Sequence, residues 1–434
     1  MSGGFVRRLR LRLVWGLRPG LSALLVLGFI GGALLGSVSG DLSVFIAEPE
    51  AEPKPEPVPD PGPESGWEFG AGAGERYDPK SVAREAEAAC LEMLNERMEA
   101  LVTGDTRGLK DNHKLSSDSG YWAWEREVLR NQYFRKWAEE RGVTITAAEA
   151  TFEIDSTIVD DATTVWIELT ELARYEYTYD GEDKSHRFGS RSLHVVQMVK
   201  ENGQWLMRLH WYVDPLGQGS YSPAEGIAGP LNITPAEGRI PAEGESSGGH
   251  AEGGSPAEGR TPAEFDRDAA LKYAIKYSGV RVFPGVERYN RAYRVYSFAG
   301  GDCANFVSQV LNAGGLEQGY GWHYTSEGST AWVRSESLMW FLLSSGAGKL
   351  LYKGKFAGAV TPTEEFPLGP VAALEPGDII GYEDGGELHH VAVVVGKDPK
   401  GYVTIGSHTS DRLFFPWDLG WDKDTVFWLV KITY

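Results

Sequence analysis

The sequence predicts an α+β protein with two folded segments, and two observations carry this prediction. Each segment begins with apolar residues at helical spacing and continues with apolar residues at the two-residue spacing of strands. Stretches rich in Pro, Glu and Gly precede and separate these segments, and such a composition cannot bury a core. The predicted order is a signal peptide or membrane anchor (1–40), an acidic Pro-rich linker (41–76), an α+β domain (77–213), a linker with a repeated Pro-Ala-Glu-Gly unit (214–262) and a second folded domain (263–434).

The N-terminus carries a cluster of arginines followed by an apolar run from Leu21 to Val38. This run is at the lower limit for a membrane-spanning helix and is longer than most signal-peptide cores. Arginines in front of an apolar run favour a cytoplasmic N-terminus. The chain after Asp41 is therefore expected outside the cytoplasm, in a bacterial cell envelope or secreted, whether the run is cleaved or retained as an anchor.

Charge and cysteine content narrow the function classes. The formal net charge is −19, which argues against nucleic acid as a partner because phosphate binding needs clustered Lys and Arg. The two cysteines, Cys90 and Cys303, cannot form a disulfide framework. Because they fall in different segments, we expect both to be free thiols.

The first segment combines two predicted helices with four predicted strands. Helical spacing runs through Cys90, a second helix covers Trp122 to Trp137, and strands follow at 144–154, 164–177, 190–200 and 205–212. Asp180-Gly181 and Asn202-Gly203 predict hairpin turns. The order resembles nuclear-transport-factor-like (SnoaL-like) domains, which implies a cone-like sheet around the helices. No tight polar constellation stands out, so a packing or dimerisation module is expected, with Cys90 in its core.

The second segment places Cys303 at the start of a predicted helix. Asp266 is expected to cap a first helix, and Asp302 a second one that begins at Cys303. A helix N-terminus presents free N–H groups that lower a thiol pKa and can hold an oxyanion. Asp302 opposes ionisation of the thiol, so a histidine base must dominate. The position predicts a cysteine nucleophile.

Two later strands supply candidate histidines. On a two-residue period His390 shares a face with Ala392 and Val394, while His389 takes the opposite face. His390 is the expected general base, and His408, at the end of the next strand, is expected to orient it. His389 becomes the base if the strand register is shifted by one residue.

These residues carry a family resemblance over about 265–434. The stretches Gly-Gly-Asp-Cys-Ala-Asn-Phe-Val-Ser-Gln (300–309), Gly-Asp-Ile-Ile (377–380), His-His-Val-Ala-Val-Val (389–394) and Ser-His-Thr-Ser-Asp (407–411) occur in this order. The pattern resembles the bacterial family named "putative amidase domain", related to NlpC-like and CHAP cysteine peptidases on a papain-like fold. The resemblance implies Cys303 as nucleophile, His390 as base and His408 as third polar residue, with His389 and Asp302 as secondary candidates.

The function predicted from the sequence is an exported cysteine amidase or peptidase that hydrolyses an amide bond, often in a cell-wall peptide. Expected partners are such a peptide or another amide, and the membrane if the N-terminal run is uncleaved. No cofactor is implied, and no metal is expected, because adjacent strand residues such as His389 and His390 point to opposite faces. Two alternatives stay open: a catalytically silent envelope-binding module on the same fold, and a small-molecule binding function of the first segment.

Overall fold

The computed structural model describes residues 77–217, 223–224, 264–297 and 301–434. The arginine cluster and the apolar run Leu21–Val38 lie outside these residues, as does most of both predicted linkers. Among the helices within these ranges, none is long and apolar enough to cross a membrane. The described residues form one compact unit.

Two long helices open the first segment: α1 (Pro79–Thr103) and α2 (Asp118–Arg141). The Asp78 carboxylate accepts a hydrogen bond from the Lys80 N–H, and α1 ends at Gly104 in the left-handed conformation. The buried stripe of α1 has helical spacing, which confirms the predicted helix; it includes Val82, Ala86, Cys90, Leu94, Met98 and Leu101.

Four antiparallel strands follow as a meander: β1 (Val143–Asp161), β2 (Thr164–Tyr179), β3 (Ser185–Glu201) and β4 (Gln204–Tyr212). Asn202 and Gly203 connect β3 to β4 with φ of 50° and 85°. Positive φ at both central residues is what a tight two-residue hairpin turn requires. The predicted hairpins are confirmed; the cone-like curvature stays a prediction.

The second segment contributes five helices and six strands. The helices are α3 (Arg267–Lys276), α4 (Cys303–Ala313), α5 (Thr330–Val333), α6 (Ser335–Ser345) and α7 (Phe356–Val360). The strands are β5 (Gly348–Lys355), β6 (Ile379–Asp384), β7 (Glu387–Lys397), β8 (Val403–Ser407), β9 (Asp411–Pro416) and β10 (Val426–Ile432). Strands β5 and β9 were not predicted from the sequence.

All ten strands belong to one antiparallel sheet in the order β1-β2-β3-β9-β8-β7-β6-β10-β5, with β4 also pairing with β3. The two segments meet where Gly189 to Arg191 of β3 pair with Asp411 to Leu413 of β9. A Cβ atom at Gly189 would lie within 2.9 Å of the side chains of Val280, Val282 and Phe283. The α+β class is thereby confirmed with a large antiparallel sheet, while the papain-like topology stays a prediction.

Successive side chains of β7 pack alternately into two hydrophobic clusters on opposite faces of the sheet. Val391, Val393 and Val395 pack in the cluster that contains Cys303. Ala392 and Val394 pack in the other cluster, together with residues of α2. The sheet therefore has two covered faces here, and α4 packs on the face of Val391.

Candidate functional site

Cys303 is the first residue of α4, and its side chain is 6% exposed. Its Sγ lies 3.3 Å from the Ser335 Oγ. Backbone groups of Val391 and Ala304 lie close to the thiol and act to lower its pKa. The sulfur therefore lies among three polar groups at the point where α4, α6 and β7 meet, and both cysteines of the chain are free.

Burial raises the pKa of the Cys303 thiol above its usual value. Hydrogen bonds from Ser335 and from the two backbone groups act in the opposite direction, and the charge of Asp302 adds to the increase. The sequence predicts a lowered pKa from the helix N-terminus. Burial overrides that effect in this structure, because a thiolate loses hydration that a neutral thiol does not need.

Asp302 precedes the thiol but does not cap α4 with its side chain. Its carboxylate instead accepts hydrogen bonds from the His408 Nδ1 at 2.7 Å, the Tyr296 N–H at 2.7 Å and the Asn305 Nδ2 at 2.9 Å. The predicted side-chain cap is therefore wrong. The reason is that a buried imidazole and two further donors compete for the same carboxylate.

His408 makes contacts through both ring nitrogens and through both faces of its ring. Its Nε2 lies 2.8 Å from the Tyr277 carbonyl oxygen, and its ring stacks between Tyr289 and Phe306 with centroid distances of 3.8 and 4.0 Å. A carbonyl and a carboxylate can only accept, so both ring nitrogens donate when Asp302 is ionised. His408 is thus fully engaged with Asp302 and the Tyr277 carbonyl oxygen, and the structure does not bring it to His390.

His390 is 7% exposed and packs against Tyr382 and Trp421, with ring centroids 5.7 Å apart in each case. Burial, and then the charge of Arg412, lower the pKa of His390 to about 3. Its Nε2 has no hydrogen-bond partner. The described hydrogen bond of the Cys303 sulfur goes to Ser335, and Tyr382 and Trp421 belong to the cluster on the opposite face of the sheet from Cys303. As placed here, His390 is a neutral and weakly basic imidazole.

His389 lies in a β-bulge. Tyr382 of β6 pairs with His390 and the next residue, Glu383, pairs with Leu388, so His389 has no residue opposite it on β6. His389 is exposed and lies two residues before Val391, which contacts the thiol. The pairing of β6 with β7 therefore has a local irregularity in register at the second candidate histidine.

Two groups of residues were missed by sequence reasoning. One is Ser335, because a serine in a predicted helix carries no distinctive signal. The other is a buried polar network in the first segment, where no polar constellation was expected. Its members include the pairs Arg97–Glu171 (2.6 Å), Arg130–Asp214 (3.0 Å), His194–His210 (2.8 Å) and Tyr212–Glu127 (2.6 Å). The sequence feature that could have indicated this network is the two-residue spacing of polar residues on β3 and β4: Ser192 with His194, and His210 with Tyr212.

Within the described ranges, no group of three or more His, Cys, Asp or Glu residues could hold a metal ion. A cavity of about 800 Å³ lies away from the thiol, between α1, β1 and β2 beside Arg281 and Val282. The site around Cys303 is therefore defined by its hydrogen bonds, and the cavity does not contribute to it.

Comparison with known proteins gives a family match, a curated relative and similarities to solved structures. The family profile described as "Putative amidase domain" matches residues 264–430. "Uncharacterized protein YhbB" of Bacillus subtilis (strain 168) is 28% identical over 293 residues, which covers 65% of this chain and 78% of that protein.

Among solved structures, the crystal structure of the intermembrane space region of the chloroplast protein ARC6 has a TM-score of 0.23 at 12% identity. The match covers 32% of this chain and 98% of that one. A 2.5 Angstrom structure from Catenulispora Acidiphila has a TM-score of 0.21 at 15% identity, covering 30% of this chain and 91% of that one. The resemblance identified in the sequence is thus confirmed over residues 264–430, which match the putative amidase domain family.

Proposed function

We propose that this protein is a cysteine-dependent amidase in which Cys303 attacks the carbonyl carbon of an amide. The observation that supports this most directly is the place of the thiol: it is the first residue of α4, inside the segment that matches the amidase family. The thiolate forms a bond to the carbonyl carbon, the carbonyl oxygen becomes an oxyanion, and N–H groups at the start of α4 stabilise it. The base that took the thiol proton returns it to the amide nitrogen, the C–N bond breaks with loss of the amine, and water then hydrolyses the acyl-enzyme.

We assign the base to His389. It is exposed, it lies in the bulge of β7, and it is two residues from Val391, which contacts the thiol. His390, the base expected from the resemblance, has a pKa lowered to about 3 by burial and packs with Tyr382 and Trp421. An imidazole with so low a pKa is a poor acceptor for the proton of a thiol.

Asp302 and His408 act as positioning residues in this proposal. Their ion pair at 2.7 Å fixes the residue in front of the thiol, and both side chains are 1% exposed. Because His408 uses both ring nitrogens in hydrogen bonds, it has no free nitrogen with which to take part in proton transfer.

The proposed substrate is an amide bond in a cell-wall peptide, hydrolysed outside the cytoplasm. The arginine cluster and the apolar run before Asp41 support this, because they are typical of an export signal or an anchor. The Pro- and Glu-rich stretch that follows has the composition of an extended spacer.

The test is hydrolysis of isolated peptidoglycan peptides, followed by the release of new amino groups. Cys303→Ala should abolish the release, whereas Cys90→Ala should leave it within about twofold of wild type. Cys90 is the matched control because its thiol is fully buried in α1 and burial raises its pKa to about 12. Hydrolysis that survives in Cys303→Ala would end the proposal.

One observation favours a second candidate, a silent envelope-binding module. The Cys303 thiol is buried with a raised pKa, and no imidazole contacts it among the residues with described positions. Such a module would bind cell-wall peptides equally well as wild type and as Cys303→Ser, and neither form would hydrolyse them.

A further inference from the structure

A helix is interrupted at Arg334, close to Cys303. The apolar spacing between Ser329 and Leu343 predicts a continuous helix, yet α5 ends at Val333 and α6 begins at Ser335. Arg334 between them is extended, with φ −116° and ψ 127°. No Gly or Pro occupies this position, so local backbone preference does not account for the break.

Hydrogen bonds from α4 stabilise the interruption between α5 and α6. The Ser308 hydroxyl donates to the Trp332 carbonyl oxygen at 2.9 Å, and the Trp332 Nε1 donates to the Asn305 Oδ1 at 2.9 Å. Trp332 itself is completely buried. Two side chains of the helix that begins with Cys303 therefore fix the end of α5, and with it the position of Ser335.

The consequence is that two helix N-termini meet at one sulfur atom. Cys303 is the first residue of α4, and Ser335, the first residue of α6, places its Oγ 3.3 Å from the Cys303 Sγ. Neither helix has a side-chain hydrogen bond at its cap. Across the described residues, the contact with Cys303 is the one hydrogen bond of the Ser335 hydroxyl.

We infer that Ser335 is a further residue of the nucleophile site, donating a hydrogen bond that stabilises the Cys303 thiolate. This rests on the proposed function. A hydroxyl can act as donor or acceptor; once the sulfur is ionised and can only accept, the hydroxyl donates. Hydrogen bonds to a charged partner are stronger than those between neutral groups, so the contact favours the thiolate over the thiol. The direction agrees with the effect of Ser335 on the thiol pKa, which is to lower it against the effect of burial.

The experiment measures alkylation of Cys303 by iodoacetamide as a function of pH in the full chain carrying Cys90→Ala. Ser335→Ala should shift the profile to higher pH and slow alkylation at neutral pH by about tenfold. Ser335→Thr keeps the hydroxyl and should restore most of the rate. Ser344→Ala is the matched control: it removes an exposed serine near the far end of the same helix and should leave the profile unchanged.

On a hydrolysed cell-wall peptide, Ser335→Ala should lower kcat with little change in KM, because the hydroxyl touches the reacting sulfur. A Ser335→Ala profile that superimposes on wild type overturns the inference, and so does a thiol that is unreactive at every pH. Either result concerns Ser335 and the thiolate. The amidase proposal fails separately, if Cys303→Ala retains hydrolysis.

Discussion

The Asp302 carboxylate and the His408 imidazole form a buried ion pair directly before Cys303. Taking two charges out of water is costly, and the pair persists because each partner is satisfied by further contacts. Asp302 accepts from the Tyr296 N–H and the Asn305 side chain, and His408 donates to the Tyr277 carbonyl oxygen. The pair fixes the entry of the chain into α4.

Replacing His408 by Leu should therefore destabilise the protein by about 3–5 kcal/mol, because the Asp302 carboxylate stays buried without its cation. Urea unfolding followed by circular dichroism measures the change. His323→Leu, at an exposed histidine, is the control and should change the free energy of unfolding by less than about 0.5 kcal/mol. Equal stabilities of the two variants would contradict the ion-pair assignment.

Cys303 and its helix start could be predicted from the sequence, because a glycine pair followed by helical spacing is a local signal. The roles of the histidines could not be predicted from the sequence. The bulge at His389 depends on how β7 pairs with β6, and the burial of His390 depends on Trp421, which comes from a distant loop. Alternation along the strand correctly placed His390 on the face of Ala392 and Val394, but it could not show that Cys303 packs on the opposite face, because that is a tertiary effect.

At the scale of elements, α2 is joined to the loop after β9 through Asp418. This carboxylate accepts hydrogen bonds from the Trp137 Nε1 at 3.0 Å, the Arg141 Nη2 at 2.7 Å and the Tyr402 hydroxyl at 2.6 Å. Trp137 and Arg141 belong to the first segment, while Tyr402 belongs to the second. The buried Asp418 side chain thus connects the two segments.

Asp418→Ala should cost about 3–5 kcal/mol of unfolding free energy, since it removes a buried carboxylate that a buried guanidinium faces. Asp424→Ala is the comparison. Its ion pair with Lys355 at 2.9 Å is well exposed, and such pairs contribute about 0–1 kcal/mol. Chemical denaturation of both variants measures the difference, and a cost for Asp418→Ala no larger than for Asp424→Ala would contradict this account.

The helices and hairpins of the first segment were predictable because their caps and turns are encoded within a few residues. Strands β5 and β9 were not. Strand β5 carries three lysines at the edge of the sheet, where charged residues are tolerated. Strand β9 begins with buried Asp411 and Arg412, whose partners are Arg191 of the first segment and the Pro215 carbonyl oxygen just after it. A local pattern cannot indicate partners about 200 residues away.

The whole molecule contains several buried histidines that are held neutral. Burial lowers the pKa of each of them, to about 3 for His390 and well below the usual value for His194 and His210. His194 and His210 share a hydrogen bond of 2.8 Å between ring nitrogens, which needs one nitrogen without a proton. Protonation of both rings would leave no acceptor nitrogen and would therefore break the bond.

The sign of the pH dependence follows from these shifts. Below pH 6.5 the unfolded chain binds protons at these histidines that the folded chain does not, so the stability falls as the pH falls. Each such histidine contributes up to about 1.4 kcal/mol per pH unit. Urea unfolding at pH 7.5 and 5.5 measures how far the free energy of unfolding falls between the two pH values. His390→Phe should make this decrease smaller, because it removes one of the titrating imidazoles. Stability that is constant or increases towards pH 5.5 would contradict the neutral state of these histidines.

The joining of both segments in one sheet was not predictable, because the sequence shows two separate periodic regions with a linker between them. The pairing of β3 with β9 involves three residues on each strand and depends on a close approach at Gly189. The surroundings of His390 also include the second-segment residue Trp421, whose carbonyl oxygen accepts from the Tyr133 hydroxyl of α2. The first segment thus contributes to the structure around His390 in the second segment.

The central claim is that Cys303 is a nucleophile activated by His389. The most direct measurement is the alkylation rate of Cys303 against pH, in the Cys90→Ala background, for the parent, His389→Ala and His390→Ala. The account predicts reactivity below the ordinary thiol pKa of about 8.5 that is lost in His389→Ala and kept in His390→Ala. A thiol indifferent to both substitutions, or one that loses its reactivity in His390→Ala alone, would contradict it.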